Sequence, residues 1–251
     1  MRVLVCVKRV PAPGARIVLT DDGQAIDTGL LSFTVSPHEE CAVEAAVQIA
    51  EETEGTVTVL TLGPPEAEEQ LRSALAVGAH EAVLVGTDGS DWDPISTATA
   101  IAAAVGELES EAPFDMILFG NESADAGGYQ VGIRVAHSLG RPVVSGIKGI
   151  TVGDGAVRLR RDTATGSEVY QLPLPAVVAV KEGINLPRYP TLKGRLNAKK
   201  AEVTHVSPER VGSGQAMVRL ISPPQEVSET TVLADAAAVV DVLEELQVVG
   251  P

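Results

Sequence analysis

Residues 115–140 read "DMILFGNESADAGGYQVGIRVAHSLG". The apolar run Met116–Phe119 suits a strand in a sheet covered on both faces. Gly120 closes that strand, a polar turn follows, and after Gly127 and Gly128 a helix is expected to begin near Tyr129 or Gln130. Backbone N–H groups at such a helix start form an anion site, and glycines let a ligand approach closely. Asp125 either hydrogen-bonds a ribose hydroxyl or caps the helix. The stretch is neither a GxGxxG fingerprint nor a GxxxxGK[ST] loop. On spacing alone an ordinary strand–helix connection is the stronger reading.

The same unit repeats upstream. "RVLVCV" (2–7), "TVTVLTLG" (56–63) and "EAVLVG" (81–86) read as buried strands, and "RPVVSGI" (141–147) as a fifth. Helices are predicted over 36–52, 64–78, 93–109 and 128–140. Ser36 stands as a cap, with Pro37 at the first helical position. Alternating strands and helices imply right-handed crossovers, hence an α/β fold with a parallel sheet and helices on both faces. Ligands of such sheets sit at the carboxyl ends of the strands.

After residue 150 the pattern changes. Residues 155–180 read as two extended segments around a turn at Thr163–Ser167. A basic, proline-bracketed loop follows at about 184–200, then a loop-rich stretch with Pro208, Pro223 and Pro224, and a closing amphipathic helix. The expected division is a Rossmann-like nucleotide-binding domain over 1–150, a β extension over 151–206, and an arm over 207–251. A hairpin, a loop and one helix bury too little area to fold alone, so this third must pack on the first domain or on another chain.

Thirty-four acidic residues face 19 basic ones, a net charge of −15. That balance, with only 3% aromatic residues, argues against nucleic acid as a partner. Cys6 and Cys41 lack CxxC spacing and read as reduced, buried thiols of a cytoplasmic protein. The four histidines lack metal-ligand spacing, so no metal is expected. No apolar run approaches the ~20 residues of a membrane helix. Nucleophile elbows, zinc-protease motifs and paired Cys–His signatures are missing, so no catalytic residues are expected. The acid is concentrated between His38 and Gly128, with 19 acidic residues against one basic, Arg72. Either a strongly solvated surface or adaptation to high salt would account for it. Against this background the stretch from Lys181 to Lys200 is anomalous, with six basic residues and one acid, Glu182.

"LVCVKRVPAP" (4–13), "SPHEECAVEAA" (36–46), "GNESADAGGYQVG" (120–132) and "LPAVVAVKEGINLPRYPTLKGRLNAKK" (174–200) resemble the beta subunit of electron transfer flavoprotein, in register over nearly the whole chain. The resemblance implies an adenine nucleotide alpha hydrolase-like sheet domain, with a β-hairpin and an extended arm. It implies a heterodimer with an alpha subunit that carries a redox-active FAD. The beta chain would hold AMP or a second FAD, and would act as an electron carrier with no substrate turnover of its own. Dehydrogenase partners such as acyl-CoA dehydrogenases and a quinone oxidoreductase acceptor follow, without membrane insertion.

By this resemblance, Cys6, Leu62 and Gly63 border the adenosine. Ser36 occupies a contact position usually held by Asn. Asp125, Gly128, Tyr129, Gln130, Val131 and Gly132 form the phosphate and ribose loop. "DAGGYQVG" departs from the pattern of AMP-binding members toward that of electron-bifurcating ones, so AMP and a second FAD both stay open. Pro187, Arg188, Tyr189, Leu192, Lys199 and Lys200 belong to a recognition loop that docks on dehydrogenases, with Leu192 as the inserted side chain. Glu168 matches a glutamate that meets the mobile flavin domain. The competing reading is a flavin-free nucleotide-binding stress or signalling module of related topology. An adenylating enzyme is disfavoured because "VKRVPAPG" lacks a phosphate-loop signature.

Overall fold

The computed structural model describes residues 1–110, 112–153, 155–211, 214–224 and 230–249. Its strands are β1 (Arg2–Val7), β2 (Val10–Pro11), β3 (Phe33–Thr34), β4 (Thr56–Gly63), β5 (Glu81–Gly86), β6 (Met116–Gly120), β7 (Val143–Gly153), β8 (Ala156–Thr163), β9 (Gly166–Pro173), β10 (Ala176–Val180) and β11 (Thr204–Val206). The α-helices are α1 (Pro37–Thr53), α2 (Glu68–Val77), α3 (Pro94–Leu108), α4 (Val131–Ser138), α5 (Leu192–Lys200) and α6 (Ala236–Glu245).

Nine strands form one sheet in the order β11-β5-β4-β1-β6-β10-β7-β8-β9, while β2 and β3 make a separate small ribbon. From β11 to β7 every neighbour is parallel; β8 and β9 extend that edge antiparallel. The period-2 alternation of β1 divides the core. Val3, Val5 and Val7 face α1 and α2, whereas Leu4 and Cys6 face α3 and α4. Each fully buried Val or Leu contributes about 1.5–3 kcal/mol, so the two-sided cover makes this sheet the stable centre of the molecule.

The expected α/β architecture holds, with five differences. The region expected to give two extended segments gives three strands, and the last of these, β10, enters the parallel sheet between β6 and β7. All five residues of β10 are buried, which an isolated hairpin could not achieve. The expected break at residue 150 falls inside β7. The predicted second helix begins as a 3-10 turn at Pro65–Ala67 before α2.

The fourth difference lies in α4, which begins at Val131. Gly127 and Tyr129 have positive φ, so the chain cannot enter a helix before them. The fifth concerns the basic loop, whose second half is helix α5, with the Thr191 hydroxyl accepting from the Gly194 N–H. Only Ala198 of this helix is buried, and its polar surface carries no apolar period that would announce it.

Beyond β11 the arm first packs on its own chain. The Arg210 guanidinium lies over the Trp92 ring, 5.2 Å from its centroid. The Asp93 carboxylate accepts from the Gly214 and Gln215 N–H groups at 3.0 and 3.2 Å, and the Leu220 N–H donates to the Gly23 carbonyl at 2.9 Å. The terminal α6 has no buried residue.

Candidate functional site

Because β4, β1 and β6 are neighbours, their carboxyl ends lie side by side. That brings Cys6, Leu62, Gly63 and the loop 121–130 to one edge of the sheet. The Lys8 ammonium contacts the Asp125 carboxylate at 2.6 Å, tying the end of β1 to this loop. Burial would raise the Asp125 carboxyl, but the charge and hydrogen bond of Lys8 outweigh it and hold it below its ordinary value. A Cβ added at Gly128 would meet no atom within 4 Å, so the backbone there is open to a ligand. The first turn of α4 leaves the N–H groups of Val131, Gly132 and Ile133 without intrahelical acceptors. Gly132 itself serves packing, since a Cβ would sit 3.0 Å from Phe119. Tyr129 and Gln130 also border a cavity of about 450 Å³ between α3 and α4, which Ile133, Arg134 and His137 line.

Ser36 is fully buried and occupied by the helix cap. Its hydroxyl accepts from the Glu39 N–H at 3.4 Å, and the Glu39 carboxylate accepts from the Ser36 N–H at 3.0 Å. The second Glu39 oxygen accepts from the Lys8 N–H at 3.0 Å. Burial pushes the Glu39 carboxyl up to about 8, against these hydrogen bonds. Burial, and then the nearby Glu39 charge, push the Cys6 thiol up as well, so Cys6 is an inert thiol and offers backbone and bulk rather than chemistry.

The structure adds residues that motif reading did not select. Lys8, His38 and Glu39 border the loop, and Asn121 and Glu122 form its first two positions. Glu39 was legible as the fourth residue of an S-x-x-E capping box. The His38–Glu122 contact, at 3.2 Å, had no local signal.

The residues expected to bind partners fall into two places. Glu168 lies on the outer strand β9, where its carboxylate accepts from Arg161 Nε and the Tyr170 hydroxyl, each at 2.8 Å. Residues 184–200 run beside α1 and α2. The Asn185 side chain donates to the Cys41 carbonyl at 2.9 Å, and the Arg188 guanidinium is gripped by Glu44 and Glu51 of α1. Arg188 is therefore committed to its own chain. Tyr189 and Leu192 are left 93% and 76% exposed, as apolar projections on a braced segment. A groove of about 1130 Å³ runs between this segment and helices α1 and α2.

A family model described as "Electron transfer flavoprotein domain" matches residues 31–211. The chain belongs to the electron transfer flavoprotein family. It is similar to "Electron transfer flavoprotein subunit beta" of Mycobacterium tuberculosis (strain ATCC 25618 / H37Rv), with 35% identity over 235 residues, 91% of this chain and 87% of that protein. The protein of the same description from Bacillus subtilis (strain 168) is 34% identical over 200 residues, 80% of this chain and 76% of its own. "Caffeyl-CoA reductase-Etf complex subunit CarD" of Acetobacterium woodii is 32% identical over 266 aligned positions, 99% of this chain and all of that protein, 100%. Within the family the chain is a beta-type member with an electron-transfer role, and the stress-module reading is not favoured. Among the described residues no helix is long and apolar enough to cross a membrane, and no group of three or more His, Cys, Asp or Glu side chains is placed to hold a metal ion.

Proposed function

We propose that this chain pairs with an FAD-bearing alpha subunit, docks flavin-containing dehydrogenases such as acyl-CoA dehydrogenases, and passes their electrons toward a quinone oxidoreductase. The alpha subunit's flavin, when bound, supplies the redox chemistry. The residues of this chain bind, orient and select.

One observation carries this reading. Leu192 stands 76% exposed at the first turn of a capped helix whose root is clamped to α1 by Arg188. A stiff presentation lowers the ordering entropy that docking would cost, and burying the side chain would contribute ~1.5–3 kcal/mol. Lys193, Arg195, Lys199 and Lys200 surround it with positive charge suited to an acidic partner face. Glu168 sits away from this segment, where it would meet the mobile flavin domain. The arm and the exposed α6 would wrap the alpha subunit, as their small area buried against this chain suggests.

We also propose that the loop 121–130 holds an adenine nucleotide, AMP or a second FAD. The chemistry fits an anionic adenylate. The Lys8 ammonium and the free N–H groups of α4 would hold phosphate oxygens, and Asp125 would accept from a ribose hydroxyl. Leu62 and Gly63 would border the base. Both cysteines are buried and free, which suits a reducing cytoplasm.

Co-expression with the cognate alpha subunit tests the first reading. A yellow one-to-one complex that a dehydrogenase reduces is expected, and Leu192→Ala should slow that reduction about tenfold, the equivalent of ~1.4 kcal/mol, at unchanged flavin content. Equal rates would remove the docking role. Acid extraction of the complex tests the second: AMP alone means simple transfer, two FAD per complex means room for bifurcation, and one FAD without a further nucleotide refutes the loop assignment.

A further inference from the structure

The nucleotide loop and the docking segment are separated by some sixty residues of chain, yet one side chain touches both. His38 Nδ1 accepts from the Glu182 N–H at 2.8 Å, and His38 Nε2 lies 3.2 Å from Glu122 Oε1. A neutral imidazole that accepts at Nδ1 carries its proton on Nε2, so the same tautomer donates to Glu122. Glu122 is the second residue of the loop. Its carboxylate is close enough to the Tyr129 hydroxyl to raise that group above its ordinary value, and its carbonyl accepts from the Ser36 hydroxyl at 3.4 Å. Glu182 is the root of the docking segment: its carbonyl accepts from Lys148 Nζ, and Gly183 turns the chain at φ +77° immediately after it. Both His38 bonds are shielded, because only 11% of its side chain is exposed.

We infer that His38 is a positioning residue that couples occupancy of the loop 121–130 by an adenine nucleotide to the geometry of the docking segment 184–200, which Glu182 and Gly183 lead into. An adenylate entering the loop engages Tyr129 and the backbone beside it, which re-aims the Glu122 carboxylate. Since Glu122 fixes the imidazole, and the imidazole fixes the Glu182 N–H, the docking segment is held in one arrangement only when the loop is ordered. Dehydrogenase docking would then be reciprocal with nucleotide binding, as any coupling between two sites must be. This inference rests on the two readings above, and its test separates them.

The test uses the heterodimer with its alpha subunit, stripped of its AMP by dialysis against denaturant and refolded, then titrated with AMP. Two quantities are read: hydrogen exchange of the amides of residues 182–188, and the KM for an acyl-CoA dehydrogenase. In the native sequence AMP should slow exchange at these amides and lower the KM roughly fivefold or more, the usual lower range for coupled sites. In His38→Phe both responses should vanish while AMP still binds. Glu122→Ala, which leaves Glu182 its His38 acceptor, should give the same loss and serves if His38→Phe folds poorly. AMP binding with no response in the native heterodimer overturns the coupling and leaves both earlier readings standing. A response that survives in His38→Phe or Glu122→Ala overturns the role of His38. Failure of the stripped native heterodimer to bind either AMP or a second FAD removes the nucleotide reading and this inference with it.

Discussion

The Arg188 guanidinium embraces the Glu44 carboxylate with both arms, Nε to Oε2 at 2.9 Å and Nη2 to Oε1 at 3.0 Å, across 144 positions of sequence. The Arg188 N–H adds a third bond to the same Oε2 at 3.1 Å, and Glu51 takes the outer edge of the guanidinium. Hydrogen bonds that Arg188 donates to Glu51 and then Glu44 raise its already high basicity, so this clamp is charged at every physiological pH. The Glu44 side chain is only 5% exposed, which makes it the costly member to strand. The clamp converts a proline-bounded loop into a fixed support for Leu192.

Arg188→Ala should therefore destabilise the heterodimer by about 1–3 kcal/mol, the cost of a buried acceptor left without its partner. Urea melts measure this. Adding Glu44→Leu removes the stranded charge and should recover much of the stability, while reduction by a dehydrogenase stays slow because the segment is still unclamped. Full kinetic recovery in the double variant would show that the clamp serves folding alone.

Helix α5 lies against α2 through a close backbone approach. A Cβ at Gly194 would sit 2.3 Å from the Ala76 carbonyl oxygen, a backbone atom that cannot swing aside. The Arg72 guanidinium caps the same contact by donating to the Ala198 carbonyl at 2.8 Å. Gly194→Ala gains helix propensity of about 1 kcal/mol but must push α5 off α2, an overpacking cost of about 1–3 kcal/mol. The expected net result is a lower melting midpoint and a slower dehydrogenase reaction, read by calorimetry and by flavin bleaching.

Glu39 gives a pH dependence with a defined sign. Its carboxyl rises from 4.5 to about 8 on folding because of burial. A carboxyl raised in the folded state contributes most below its unfolded value, and that contribution is lost as pH climbs through about 8. The native heterodimer should lose stability relative to Glu39→Gln over this window, with a slope of at most about 1.4 kcal/mol per pH unit. Denaturant melts at several pH values check it. A difference between the two proteins that does not change with pH would show that Glu39 stays ionised under its two N–H donors.

Glu168 separates docking chemistry from folding. The Tyr170 hydroxyl and the Arg161 guanidinium both donate to its carboxylate and hold it below its ordinary range. The group is exposed at the outer strand pair, so Glu168→Gln should leave the melting midpoint unchanged within error. If the carboxylate orients the flavin domain of the alpha subunit, electron transfer from a reduced dehydrogenase falls at unchanged flavin content. Stopped-flow traces of the two heterodimers decide this.

Much of the fold was legible residue by residue. The four β-branched and apolar runs, the Ser36–Pro37 helix start and the Gly-rich turn after Phe119 are local patterns, and each became the predicted kind of element. Helix α5 was not legible, because its single buried residue Ala198 and its Thr191 cap leave no period in a basic surface sequence. The place of β10 was not legible either. "AVVAV" reads as a buried strand wherever it goes, and only the competition among neighbours put it between β6 and β7.

The site divides in the same way. Sequence by itself determined the strand ends, the glycine-rich turn around Gly128 and the helix start that follows it, because side-chain periodicity, capping and glycine placement act within a few residues. Tertiary structure alone decided that Lys8 meets Asp125, that Arg188 grips Glu44, and that His38 stands between Glu122 and Glu182. Those contacts join segments dozens to more than a hundred residues apart. They exist because the order β4-β1-β6-β10 lines up the strand ends beside the start of α1, and no local pattern encodes which strand lies next to which.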